Sequence, residues 1–109
     1  MLAAARSFAV AYMPYQVGRL SGWARTAIKA TCTPAFSRYL LAQPAQLTPR
    51  RAAHPKTIET YRVASVEPAS TPDTMAVNYV SEQDRADTGE FVLGLVKQHG
   101  QWLVARLQA

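Results

Sequence analysis

The spacing of apolar residues changes once along this 109-residue chain, near Thr57, from a helical period to an extended one. In the first stretch Ala5, Phe8, Ala9, Tyr12 and Gln16 recur at three- and four-residue steps, and Leu20 continues the row. That spacing predicts a helix over residues 2–20 with a broad apolar side. Pro14 interrupts it. Its ring crowds the Val10 carbonyl and one backbone donor is missing, so a bend or break is expected there. Gly18 and the Ser21-Gly22 pair end this helix, and a second follows from about residue 22 to 31, carrying Trp23, Ala27 and Ile28. Thr33 is then a good N-cap with Pro34 at the first helical position, where its missing N–H costs nothing. Phe36, Tyr39, Leu40 and Leu41 give this third helix its buried side, and it stops before Pro44. The segment QPAQLTPRRAAHP holds three prolines and reads as a connector, with room for a short helical turn after Thr48.

Beyond Thr57, the segments TIETYRVASVEP, DTMAVNYVSE, GEFVLGLVKQ and QWLVARLQ are rich in Val, Tyr, Phe, Trp and Thr and read as four strands. STPD, DRADTG and His99-Gly100 punctuate them. Connections this short force antiparallel neighbours, so the strands form a meander. Three N-terminal helices packed on one face of a curved antiparallel sheet give an α+β fold with a cone-shaped space between the layers. The final hairpin is expected to supply long central strands on which the helices fold back.

Composition supports one domain over residues 1–109. Apolar residues make up 49% and charged residues 17%, the balance of a globular chain. The single cysteine, Cys32, excludes an internal disulfide and leaves the redox compartment open. Charge is unevenly placed. Residues 1–56 hold eight Lys and Arg with no Asp or Glu, whereas the remainder holds all seven acids and four basic residues. The first half therefore carries a positive field that attracts anionic partners or surfaces. The apolar run SFAVAYMPYQVG is too short to span a bilayer, contains a proline and is followed by no convincing cleavage site, so a core helix is the better reading.

Local chemistry is sparse. Cys32 has no histidine fixed beside it by sequence and reads as a small buried hydrophobe. No His, Cys and acid spacing suits a metal, and no glycine-rich phosphate loop is present, so no cofactor is expected. Arg25, Lys29, Arg50 and Arg51 define a basic face. No aromatic neighbours the Arg50-Arg51 pair, which disfavours nucleic acid as the partner. Arg62 and Asn78 are polar positions within good strands, and alternation favours the solvent side of the sheet over the cone.

The segments FAVAYMPYQVGRL, ATCTPAFSRYLLA and GLVKQHGQWLVARL together resemble the nuclear transport factor 2-like superfamily, the cystatin-like α+β cone. More narrowly, the chain is similar to small domains of Gram-positive bacteria whose last strand resembles Gly-x-Trp-x-Val, matched by Gly100, Trp102 and Val104. The resemblance implies a location outside the membrane, behind an N-terminal anchor, and service in a conjugative or secretion-type assembly of the cell envelope. It also raises catalysis. Isomerases of this superfamily use a tyrosine on the first helix as oxyanion donor beside a carboxylate, and Tyr12 and Tyr15 match the first role. The first carboxylate of the chain, Glu59, lies outside the helical half. Related dehydratases pair Asp with His, but His54 falls in the connector and His99 in a turn. The reading favoured is a non-catalytic protein-binding or assembly module that meets a protein partner through the sheet or the basic helical face, or self-associates through the sheet, with a nucleic-acid-associated accessory role as the weakest alternative. Its rival is a small hydrophobic ligand in the cone, lined by Tyr12, Trp23, Phe36, Tyr79 and Trp102. With five Tyr, three Phe and two Trp, the cone is expected to be partly filled by its own side chains.

Overall fold

The computed structural model describes residues 1–16, 22–43 and 60–108. The helix end at Gly18, most of the connector, its turn after Thr48 and the strand start at Thr57 lie outside them. Three helices come first: α1 (Leu2–Gln16), α2 (Gly22–Thr31) and α3 (Pro34–Ala42). Four strands follow: β1 (Tyr61–Pro68), β2 (Thr74–Ser81), β3 (Thr88–Gln98) and β4 (Gln101–Gln108). Helical backbone runs through Pro14 to Gln16 without a break, because the bond that proline forfeits is a single one near the helix end. The buried side of α1 is wider than the predicted row. Ala11 and Met13 join Ala5, Phe8 and Ala9 in the core.

The start of α3 follows the predicted chemistry. Thr33 has extended backbone, its Oγ1 accepts from the Phe36 N–H at 3.2 Å, and Pro34 opens the helix. The sheet is an antiparallel meander in the order β1-β2-β3-β4. The hairpin β3–β4 therefore contributes one inner strand and one edge strand, rather than two central ones. That edge is partly occupied. The short α2–α3 connection bridges to it in parallel, with the Thr33 N–H donating to the Val104 carbonyl at 2.9 Å. One pairing opportunity for a foreign strand is thus used internally.

Alternation divides the sheet into two faces. Met75 and Val77 of β2 pair with Leu93 and Phe91 of β3, and all four belong to the core between sheet and helices. Apolar positions on the outer strands step by three, from Val63 to Val66 and from Val104 to Leu107. Each step spans a bulge, and the extra residue returns the second side chain to the core face. Ala5, Phe8, Ala24, Ile28 and Leu40 complete the cluster from all three helices. The β3–β4 turn is a two-residue connection in which His99 and Gly100 both take positive φ, 52° and 79°. That geometry matches the twist of the flanking strands and makes glycine the natural second residue.

Candidate functional site

The space between helices and sheet is crossed by aromatic rings. From α3 through α1 to the sheet the order is Phe36, Phe8, Tyr12, Phe91, Tyr79 and Tyr61, with successive centroids 5.3–6.3 Å apart. Tyr39, expected on the buried side of α3, instead stacks on Phe36 from outside and is 61% exposed. Tyr12 stacks on Phe8 at 5.3 Å and meets Phe91 edge-on at 5.5 Å. These are favourable ring geometries, each worth roughly 0.5–1.5 kcal/mol beyond area burial. Tyr79 lies flat on the backbone of Gly89, its cross-strand partner, in a place where any side-chain carbon would collide with the ring. Tyr61 donates from its hydroxyl to Asp87 at 2.9 Å, fastening the end of the array to the β2–β3 loop. Residues on five elements are thus packed as one layer.

Of the residues expected to line a cone, Tyr12, Phe36 and Tyr79 come together in this array. Phe8, Phe91 and Tyr61 link them, and alternation in β3 was the signal that could have placed Phe91 beside them. Trp102 stands apart from the rings. It borders a separate open cleft of about 350 Å³ at the hairpin end of the molecule, with Met1, Ala3, Ser7, Ala30 and Gly100 around it. The Lys97 ammonium sits 5.9 Å from the Trp102 ring centre, within range of a cation–π contact. Trp23 is 61% exposed on α2 and faces no interior space.

The second face of the sheet carries Arg62, Glu67, Glu90 and Arg106 around Ala76, Val80 and Val92. None of these joins the cluster under the helices. Asn78 lies here too, donating to Ser65 Oγ at 3.1 Å and to Glu67 Oε1 at 3.4 Å. Arg62 and Asn78 therefore take the solvent side. Arg106 runs across the backbone of Gly94, where a side chain would block it. The basic residues Arg25 and Lys29 are exposed on α2, whereas Arg50 and Arg51 lie outside the described residues.

Nucleophilic chemistry has little support in this arrangement. Burial pushes the Cys32 thiol up to about 12, a rise only partly countered by its hydrogen bond with Thr31. The thiolate that a nucleophile requires is scarce at neutral pH. His99 is exposed in its turn, and His54 lies outside the described residues. Among the described residues no three His, Cys, Asp or Glu side chains are grouped to hold a metal, and no helix is long and apolar enough to cross a membrane.

Fold and faces together define an α+β protein with a helical layer on one side of a four-stranded meander. No family model and no curated protein matches the chain. A solved structure of similar shape is a de novo designed β-sheet protein determined by solution NMR. It is 15% identical, has a TM-score of 0.50, and aligns over 98% of this chain and 84% of its own. At that identity the likeness concerns the fold alone.

Proposed function

We propose that this chain is a nuclear transport factor 2-like domain of the small Gram-positive type and acts as a non-catalytic protein-binding or assembly module. Its setting would be a cell-envelope transfer or secretion system, on the extracytoplasmic side of the membrane. The observation that carries the reading is the ring array. Tyr12, the best candidate for an oxyanion donor, stacks on Phe8 and meets Phe91 edge-on, which supports an interior packed by the protein's own rings over one open to a substrate. Binding then falls to the surfaces. The second face of the sheet offers half-buried Ala76 and Val92 beside two arginines and two glutamates. Both signs of charge on one face are compatible with a self-complementary interface between two copies. Sedimentation equilibrium over a concentration series is the test. Association that Val92→Lys abolishes, with the circular dichroism spectrum unchanged, is the expected result. A strictly monomeric protein at all concentrations would remove self-association from the proposal.

One observation favours a second reading, a small apolar ligand. The cleft beside Trp102 falls at the lower end of the size range of ligand pockets. A cavity of roughly 150 Å³ already holds a benzene ring, so small aromatic compounds are suitable probes of this larger cleft. Titration with indole or benzoate, read by Trp102 emission in a Trp23→Phe protein, decides it: a saturable change supports a ligand site, and a flat response removes it.

A further inference from the structure

Among the described residues, the large hydrophobic side chains most exposed to solvent are Leu2 at 49%, Val10 at 46%, Trp23 at 61% and Tyr39 at 61%. All four lie on the helices and none on the sheet. Leu2, Arg6 and Val10 follow one another at four-residue steps, so they form a single row along α1. Arg25 and Lys29 form a similar row on α2, which packs against α1 and carries Trp23, and Arg38 stands next to Tyr39 on α3. Every cation named here is exposed. No acid occurs in residues 1–56 to neutralise them. The acids Glu67, Asp73, Glu82, Asp84, Asp87 and Glu90 are exposed on the strands and their turns. Arg62, Arg85, Lys97 and Arg106 are exposed among them, so the strands carry both signs while the helices carry cations alone.

We infer that the outward side of the helical layer docks on an anionic phospholipid surface, with Trp23, Leu2 and Val10 entering the headgroup boundary and Arg6, Arg25 and Lys29 pairing with lipid phosphates. Exposed Trp and aliphatic side chains interleaved with Arg and Lys are the chemistry of interfacial binding. A nucleic acid would use the cations but has no use for exposed Leu2 and Val10, and an anion-binding site for free phosphate needs no exposed tryptophan. The asymmetry orients the docking, because the exposed charges of the helices are all positive whereas the sheet side carries both signs and is attracted far less. The inference stands independently of the sheet-mediated contact proposed above and leaves the second face of the sheet free.

The test is co-sedimentation of the intact protein with vesicles, together with its tryptophan emission. Equal parts phosphatidylglycerol and phosphatidylcholine should bind it at low salt, with a blue shift. Pure phosphatidylcholine should bind at least about tenfold more weakly, since each cation at such a surface contributes roughly fivefold. The exposed pair Arg25→Glu with Lys29→Glu should lower partitioning by more than about tenfold with an unchanged circular dichroism spectrum. Trp23→Ser should remove the blue shift. Inorganic phosphate at equal ionic strength should compete no better than chloride. Equal binding to both vesicle types, or full partitioning by the charge-reversed protein, would overturn the inference. Preferential binding to a single-stranded oligonucleotide without a blue shift would overturn it in favour of nucleic acid.

Discussion

Replacing Phe8 by alanine tests whether the space between helices and sheet is solid. Phe8 is fully buried on α1 and touches two other rings, Tyr12 at 5.3 Å and Phe36 at 6.3 Å. Removing a wholly buried phenyl forfeits roughly 2–3 kcal/mol of transfer free energy. Two lost ring contacts add roughly 1 kcal/mol or more, and the whole falls within the range of about 3–5 kcal/mol found for buried Phe→Ala changes. We take about 4 kcal/mol as the expected loss. For a domain of this size, stability is of order 5–15 kcal/mol, so a large share would go. The melting temperature should fall by roughly 15–25 °C. Urea unfolding followed by far-ultraviolet circular dichroism measures it directly: the midpoint should move while the slope stays constant. A loss below about 1.5 kcal/mol would refute the reasoning, because a ring facing an empty cone leaves behind space that was already there.

Gly89→Val should cost about 1–3 kcal/mol by displacing the Tyr79 ring from the β3 backbone, and the same change in a Tyr79→Ala background should cost clearly less; a urea double-mutant cycle reads the difference. Cys32 should react with a disulfide reagent far more slowly in the folded protein than in urea at pH 8, a contrast that absorbance of the released thiol follows. Its folded thiol lies near 12 against an ordinary 9.0, so the folded state binds the extra proton across that interval. The stability this group contributes is complete below pH 9 and declines as pH rises towards 12, and Cys32→Ala should flatten that part of the pH profile.

Most of the fold was legible because its signals are local. Thr33-Pro34 names a helix start through a hydroxyl and a missing N–H, and both act within one turn. His99-Gly100 names its hairpin through backbone conformation alone. Strand bounds followed from alternation to within a few residues. Less visible were the features that depend on pairing at a distance. The bulges that set Val63 with Val66, and Val104 with Leu107, are matters of register, which the strands decide together. The position of β4 at an edge also depends on what lies beside it. For the site, aromatic content identified Tyr12, Phe36 and Tyr79 as interior residues. Trp23 failed to follow them because a ten-residue helix exposes more than half its positions, and an aromatic at the margin of its apolar side has no local mark of which way it turns. Phe91 became a hub only when β3 was placed under α1.

The account rests on an interior occupied by the protein's own rings, and the direct measurement is a binding titration with steroids and polycyclic ketones. Tryptophan emission and the melting curve are recorded at each concentration, since a ligand held by the folded state raises the melting temperature by mass action. The account predicts that neither signal moves. A saturable change in both, with any one of these compounds, that persists when Ala30→Leu narrows the cleft beside Trp102 would contradict it and show a cone that opens to a ligand.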